Sequence, residues 1–259
     1  IHLESTRYLL PLSYGGEFTM QGGISSITPT SVRIRAQTSH GSSYVKPVRI
    51  AQEVLFLQKD RKKVRAISYS LAEDANTAPD VTVFAEHITG TGIKSMSFSQ
   101  DPDYILWAVR DDGVLLSLTH LREQQVTAWA RHTTVGAFES VSCIPESTGS
   151  TPYLVAVRSI SGTTKRYIEY LDYTGVAQTD CASYGQDLVT KHAVWNNLGF
   201  LEGQTVSVVA DGMVHPDVVV TGGAITLLYA VNSVQVGLPY TTTLEFLRPE
   251  LQLPDGTSQ

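Results

Sequence analysis

The sequence contains little cysteine and no long apolar segment. Its two cysteines, Cys143 and Cys181, have no CxxC spacing, which argues against a disulfide framework or a zinc site and favours a reducing compartment. Both are expected to pack as small residues in or near a core. No stretch approaches the roughly 18 consecutive apolar residues of a membrane helix, so we expect no membrane span.

Cations are scarce in the last third of the chain. Residues 1–172 carry 17 Lys/Arg and 17 Asp/Glu, whereas residues 173–259 carry 2 and 8, so the second segment holds the whole net charge of −6. With only Lys191 and Arg248 as cations, that segment is poorly suited to binding nucleic-acid phosphates. The shift in charge predicts a module boundary. The start at Ile1, with neither Met nor a charged leader, suggests a fragment of a longer protein.

The common catalytic motifs are also missing. Gly199–Thr205 is glycine-rich but lacks a lysine and a following helix, and no GxSxG nucleophile elbow occurs. His87 and His132 occupy equivalent places in a repeat, so we expect them to lie one blade apart, too far for a metal pair. Four carboxylates could suggest a glycosidase, but their turn-like contexts favour bonds to their own backbone: Asp101, Asp103, Asp111 and Asp112. We therefore expect no enzyme activity and no catalytic, cofactor-binding or metal site.

What the sequence does contain is an internal repeat. The segment Val81–His87 returns as Val126–His132, 45 residues later, and the register holds through Ser95–Phe98 against Ser140–Cys143. A period of about 40 to 50 residues with alternating apolar positions is typical of β-propeller blades. The repeat therefore predicts small, similar sheets before it says anything about function.

Short β-branched and aromatic runs divide each repeat into four predicted strands. The first strands are Lys46–Ala51, Lys94–Ser99 and Glu139–Ile144. The buried second strands are Val54–Gln58, Tyr104–Arg110 and Tyr153–Arg158, and their hairpin partners are Val64–Ser70, Val114–Thr119 and Lys165–Leu171. The outermost strands are Val81–His87 and Val126–His132, with Val32–Thr38 in the same place one period earlier. Asp112-Gly113 predicts a two-residue hairpin turn.

The pattern changes after Leu171. Residues 173–192 are predicted to be a linker, and residues 193–259 a small β-barrel or sandwich domain with a C-terminal tail. Turns are expected at Asp211-Gly212 and Gly222-Gly223, and the proline in His215-Pro216-Asp217 indicates an edge strand or a bulge. The predicted fold class is all-β, with incomplete β-propeller-like blades of antiparallel strands over residues 1–172 followed by the small β domain.

About nine-tenths of the chain shows, in order, motifs of a known protein family. They include Ala78-Pro79-Asp80-Val81, Ile105–Gly113, Arg166–Glu169, Val208–Gly212, Gly222–Leu227 and Val236–Tyr240. In these motifs the sequence resembles structural proteins of tailed-phage and prophage virions, and in particular the tail tubular or nozzle components of short-tailed phages. The resemblance implies a virion tail protein made in the bacterial cytoplasm that assembles with itself and other tail proteins. It also implies transient passage of DNA, with no cofactor and no small-molecule substrate.

One basic cluster is the candidate for contact with nucleic acid. It comprises Lys59, Arg61, Lys62, Lys63 and Arg65. In a DNA conduit these side chains could touch passing phosphates, although a solvated hairpin tip that discourages edge pairing is the interpretation that we favour.

An alternative function is a carbohydrate-binding or carbohydrate-cleaving β-propeller at a host-facing surface. That function would require several of Trp107, Trp129 and Trp195, together with tyrosines, around one concave site with carboxylates. The repeat instead places Trp107 and Trp129 on strands, where packing is the usual role of tryptophan.

Overall fold

The computed structural model describes residues 2–22, 27–147, 149–172 and 179–244. The protein is nearly all β, as predicted, with several small antiparallel sheets and very little helix. It divides into two compact units, an N-terminal unit (residues 1–176) and a C-terminal unit (residues 177–259). The predicted tail from residue 245 onward and residues 173–178 of the predicted linker lie outside the described residues.

The described residues of the N-terminal unit form four antiparallel sheets, each built from strands that follow one another along the chain. The first sheet comprises β1 (His2–Ser5), β2 (Leu9–Ser13), β3 (Gly16–Gln21) and β4 (Arg33–Thr38). The second comprises β5 (Val48–Ile50), β6 (Glu53–Leu57), β7 (Val64–Ser70) and β8 (Ala75–Thr77). The third comprises β9 (Ile93–Ser99), β10 (Ile105–Arg110), β11 (Leu115–Leu121) and β12 (Val126–His132). The fourth comprises β13 (Ala137–Glu146), β14 (Gly149–Ile160) and β15 (Thr163–Tyr170).

The four sheets stack face to face in chain order, and we call this arrangement the blade stack. Successive side chains of a strand point to opposite faces of its sheet, and β6 is buried on both of them. Val54 and Phe56 pack with residues of the first sheet, whereas Leu55 and Leu57 pack with residues of the third. Each inner sheet therefore contributes to two hydrophobic cores.

The third sheet continues the same alternation. Leu106 and Ala108 of β10 belong to the core shared with the second sheet. Trp107 and Val109, their neighbours along the strand, belong to the core shared with the fourth. The prediction that each small sheet covers the face of the next is thus confirmed for these four sheets.

One segment of the sequence repeat has a different structure from its counterpart. Val126–His132 forms β12 as predicted, but Val81–Phe84 forms turns and Glu86–Thr89 forms a short helix, α1. The outermost strand of the second sheet is instead β8. The prediction of a strand over Val81–His87 was wrong because Asp80 accepts hydrogen bonds from the backbone N–H and the hydroxyl of Thr82, which turns the chain at that point.

The turn after β10 was predicted correctly in place but not in length. Arg110 donates its N–H to the carbonyl of Val114, so the loop is the three residues Asp111–Gly113. Gly113 has φ +85°, which suits the left-handed position of a three-residue hairpin loop.

We expect Gly113→Ala to destabilise the N-terminal unit by about 2–3 kcal/mol, from a left-handed non-glycine residue and a steric clash. A Cβ at Gly113 would lie 2.5 Å from the Cβ of Ala137. Gly162→Ala is the matched control, because Gly162 has φ +76° but nothing within 4 Å of its Cβ position. Urea unfolding should show the smaller loss for the control, and equal losses would contradict the clash.

The C-terminal unit is a two-layer sandwich. One layer contains β16 (Asp180–Gln186), β18 (Thr205–Ala210), β19 (Met213–Val219) and β21 (Ser233–Leu238), and the other contains β17 (His192–Trp195) and β20 (Ile225–Val231). Both layers contribute to one hydrophobic core, and none of the described sheets closes into a barrel. The strand β16 falls inside the segment predicted as a linker, so this unit begins earlier than predicted.

The motif His215-Pro216-Asp217 lies in β19, the edge strand of the larger sheet. The register with β18 shifts between Val206 and Val208, opposite this motif. The predicted edge position and bulge are therefore both confirmed. The buried His215 ring also links the layers, because its Nε2 accepts the N–H of Leu228 in β20 at 3.0 Å.

Candidate functional site

The basic cluster lies on the hairpin between β6 and β7, and most of its cations have partners. The Arg61 guanidinium donates two hydrogen bonds to Asp111, at 2.7 and 2.8 Å, and lies over the Tyr44 ring at 5.7 Å. Lys63 pairs with Glu86 at 2.9 Å and with Asp80 at 3.4 Å.

The remaining members of the cluster differ in their contacts. Arg65 donates to the side chain of Gln58 and to the carbonyl of Ala78. The Lys59 ammonium lies 5.9 Å from the centre of the Tyr14 ring. Lys62 forms no ion pair with a described residue. A phosphate at this hairpin would have to compete with three carboxylates, so the geometry favours the solvated-tip interpretation, and DNA contact stays a prediction.

The four carboxylates singled out in the sequence do not form a site together. Asp111 pairs with Arg61 and Asp112 with Arg110, while Asp101 and Asp103 lie in the exposed turn that follows β9. The hydrogen bond from Arg110 lowers the pKa of Asp112. A glycosidase acid needs a raised pKa, so Asp112 does not meet that requirement.

The two histidines of the repeat are not in equivalent positions. His87 is exposed on α1, whereas His132 ends β12 with its Nε2 2.8 Å from the hydroxyl of Ser117. Burial lowers the pKa of His132. The expectation that they occupy equivalent places in successive blades was therefore wrong. Among the described residues, no group of three or more His, Cys, Asp or Glu side chains could hold a metal ion.

The three tryptophans lie in separate places. Trp107 is 4% exposed in the core between the third and fourth sheets. Trp129 packs against the core of the second and third sheets and donates its indole N–H to the carbonyl of Val81. Trp195 lines a cleft in the C-terminal unit. The two tryptophans on blade strands therefore have packing roles, as the repeat predicted.

Sequence reasoning missed the two free faces of the blade stack. Leu10 and Leu12 of β2 point into the stack, so Leu9 and Pro11 point outward. The strand register then places Met20 opposite Leu9 and Ile34 opposite Met20 on the same outer face. We call this surface the first end face, and it comprises Leu3, Leu9, Pro11, Phe18, Met20 and Ile34.

The opposite end of the stack also exposes apolar side chains, here interspersed with polar ones. Leu154 and Ala156 of β14 point inward, so Tyr153, Val155 and Val157 point outward. Ile168 lies opposite Val155 and is 79% exposed. We call this surface the second end face, and it comprises Ile144, Tyr153, Val155, Val157, Ile168 and Tyr170. The alternation in β14 was the signal that could have revealed it.

Exposed apolar side chains that share one sheet face are candidates for an interaction site. Ile34 is 58% exposed on the first end face, and Tyr170 is 60% exposed on the second. On the second end face the rings of Tyr153 and Tyr170 lie 5.9 Å apart. The blade stack therefore ends in two sheet faces that expose apolar side chains, and the second end face also carries Ser140, Ser142 and Arg166.

Comparison with known proteins adds no assignment. No protein-family model matches the chain, and no curated protein matches it. Within the described part of the chain, no helix has the length and apolar character required to cross a membrane.

Proposed function

We propose that this chain is a non-enzymatic structural protein of a phage or prophage virion, a tail component of the nozzle or tubular type. It acts by self-assembly and by contact with other tail proteins, and it lets DNA pass without binding it tightly. The observation that carries the proposal is the open blade stack, with an apolar sheet face at each end.

A second copy of the chain is the occupant that best fits the two end faces. A head-to-tail contact, in which the first end face of one copy meets the second end face of the next, covers one surface of each kind. A two-fold symmetric contact would pair a face with itself and leave the other exposed. Repeated head-to-tail contacts produce a ring if the rotation closes, which is the arrangement that a conduit requires.

The internal junctions between sheets support this proposed packing between copies. The core between the first two sheets brings Leu10 and Leu12 against Val54 and Phe56. This core is made by aliphatic and aromatic side chains, and side chains of the same kinds are exposed on both end faces. A junction between copies would therefore repeat, between molecules, the contact that already joins sheets within one molecule.

We expect Ile168→Lys to weaken self-association about 30-fold, since an interface anchor contributes about 2 kcal/mol. The physical reason is that the lysine would place a charge in the second end face. Light scattering coupled to size-exclusion chromatography measures the effect. Leu71→Lys is the matched control, because Leu71 is 85% exposed but lies in the turn after β7, away from both end faces.

A mixing experiment distinguishes the head-to-tail arrangement from a symmetric one. Ile34→Lys blocks only the first end face, and Ile168→Lys blocks only the second. An equimolar mixture should then form dimers and nothing larger, through the two intact faces. If the unmodified chain is monomeric at tens of micromolar, a different partner covers the end faces, and self-assembly of this chain is refuted.

A further inference from the structure

The C-terminal unit contains a cleft that the assembly proposal does not use. It has a volume of about 420 Å³ and lies between β16 and the segment that begins with β17. We call it the Trp195 cleft, and the side chains that define its chemistry are Tyr184, Gln186, Asp187, His192, Trp195 and Asn196. It combines aromatic surface with several planar polar groups, which together can orient a bound ligand.

The indole of Trp195 packs directly against Gly185. A Cβ built at Gly185 would lie 2.9 Å from Cε3 and Cζ3 of Trp195, so any larger residue there would displace the ring. Gly185 has no positive φ, and its backbone conformation therefore does not require glycine. The close approach of the indole therefore explains why position 185 is a glycine. The Trp195 N–H also donates to the carbonyl of His192 at 3.2 Å, which fixes the plane of the ring.

Beside the indole lies a fixed pair of polar side chains. Asp187 accepts hydrogen bonds from the backbone N–H groups of Val189 and Thr190, and its other oxygen lies 2.9 Å from Nε2 of His192. The hydrogen bond with His192 and the two backbone N–H groups lower the pKa of Asp187 to about 2. Asp187 is therefore an ionised acceptor of fixed orientation, and it is 38% exposed to the cleft and solvent.

His192 is the second member of this polar pair. Its ring meets that of Trp195 edge-on, with centres 5.7 Å apart. Nδ1 makes no hydrogen bond to a described residue and is available to a ligand. The phenol of Tyr184, which is 62% exposed, and the amides of Gln186 and Asn196 add donors and acceptors around the same opening.

We propose that the Trp195 cleft binds a neutral saccharide unit. An aromatic ring offers a flat apolar surface to the C–H face of a sugar, while carboxylate, imidazole and amide groups accept and donate hydrogen bonds to its hydroxyls. No Lys or Arg is among the described lining residues, and the ionised Asp187 repels anions. A phosphorylated or acidic ligand is thus disfavoured.

The described lining of the cleft supports binding without cleavage. Asp187 is its one carboxylate, whereas glycoside hydrolysis by the usual route uses two. This inference is independent of the assembly proposal, because it rests on residues of the C-terminal unit alone. It also differs from the alternative drawn from the sequence, which required several tryptophans around one concave site with carboxylates, whereas this cleft uses Trp195 alone.

The test uses the full chain and a panel of unmodified neutral sugars: glucose, galactose, N-acetylglucosamine and their common disaccharides. Ligand-observed NMR and tryptophan fluorescence report binding. We expect saturable millimolar binding of at least one member, with about tenfold loss of affinity in Trp195→Ala. Tyr184→Ala should also weaken binding, and because its side chain is exposed, the fold should be kept.

A matched control separates the cleft from the rest of the unit. Tyr240→Ala changes an exposed tyrosine outside the cleft, so it should leave the affinity unchanged. Gly185→Ala should abolish binding by displacing the indole. The proposal is overturned if no sugar of the panel binds the unmodified chain, or if the Tyr184 variant binds as tightly as its control.

Discussion

Phe56→Ala is expected to lower the free energy of unfolding of the N-terminal unit by about 3–5 kcal/mol. Phe56 is fully buried in β6, where it packs in one cluster with Leu10, Leu12 and Ile67. The substitution removes the largest side chain from the junction between the first two sheets. The cavity left behind adds to the lost transfer free energy, because packed strands on both sides limit collapse.

Urea unfolding followed by circular dichroism and fluorescence measures this loss, with Trp107 and Trp129 as reporters within the unit. Phe84→Ala is the matched control, because Phe84 is 95% exposed, and its removal should change stability by less than about 0.5 kcal/mol. A Phe56 variant as stable as the Phe84 variant would show that the first two sheets do not share a core.

The blade stack could be predicted largely because its strands carry their own signal. The continuous apolar run Val54–Leu57 indicates a strand buried on both faces, and the structure places its alternate residues in two different cores. The match of Ser95–Phe98 with Ser140–Cys143 is also structural, since these segments lie in β9 and β13. Strand length, alternation and repeat period can be read directly from the sequence, and they were sufficient to predict the stacked sheets.

The repeat misled where local turn chemistry prevailed over the strand pattern. Val81–His87 and Val126–His132 have the same alternation, but only the first follows Pro79 and Asp80. Asp80 bonds to Thr82, and the segment then buries Ala85 and Ile88 from turns and a short helix. The opposite error occurred at β16, where the Ser and Gly content predicted a linker but the residues form a strand. It is a strand because it pairs with β21.

The candidate sites were less predictable because their partners are distant in sequence. The basic cluster was visible as charge, but Asp111, which binds Arg61, lies 50 residues away. The contact between Trp195 and Gly185 depends on how β16 and β17 approach each other. No local sequence pattern predicts that approach. The end faces depend on which sheet is the last of the stack, and that is a property of the assembled unit.

A buried ion pair in the fourth sheet provides the second large expected effect. Arg158 in β14, with a side chain only 3% exposed, donates two hydrogen bonds of 2.7 Å to Glu169 in β15. It also donates to the hydroxyl of Thr134 and the carbonyl of Val135. The guanidinium thereby fixes the connection between β12 and β13 to the last sheet of the blade stack.

Glu169→Ala is expected to destabilise the N-terminal unit by about 3–5 kcal/mol, because it removes the carboxylate that accepts two hydrogen bonds from the buried Arg158 guanidinium. Replacing both residues by apolar ones of similar size, Arg158→Met with Glu169→Leu, should cost much less than the single change. Burial of two charges carries a desolvation penalty that their attraction only partly offsets. The double variant should therefore recover most of the lost stability.

A second arginine pair in the same sheet provides the control. Arg166 in β15 also makes two hydrogen bonds to one carboxylate, that of Glu139 in β13, but the side chains are 66% and 38% exposed. Because solvent screens this pair, Glu139→Ala should leave the unfolding midpoint nearly unchanged. Equal effects of Glu139→Ala and Glu169→Ala would show that burial does not set the strength of these pairs. A double variant as unstable as Glu169→Ala would instead show that the bonds of Arg158 to Thr134 and Val135, rather than its charge, hold the connection.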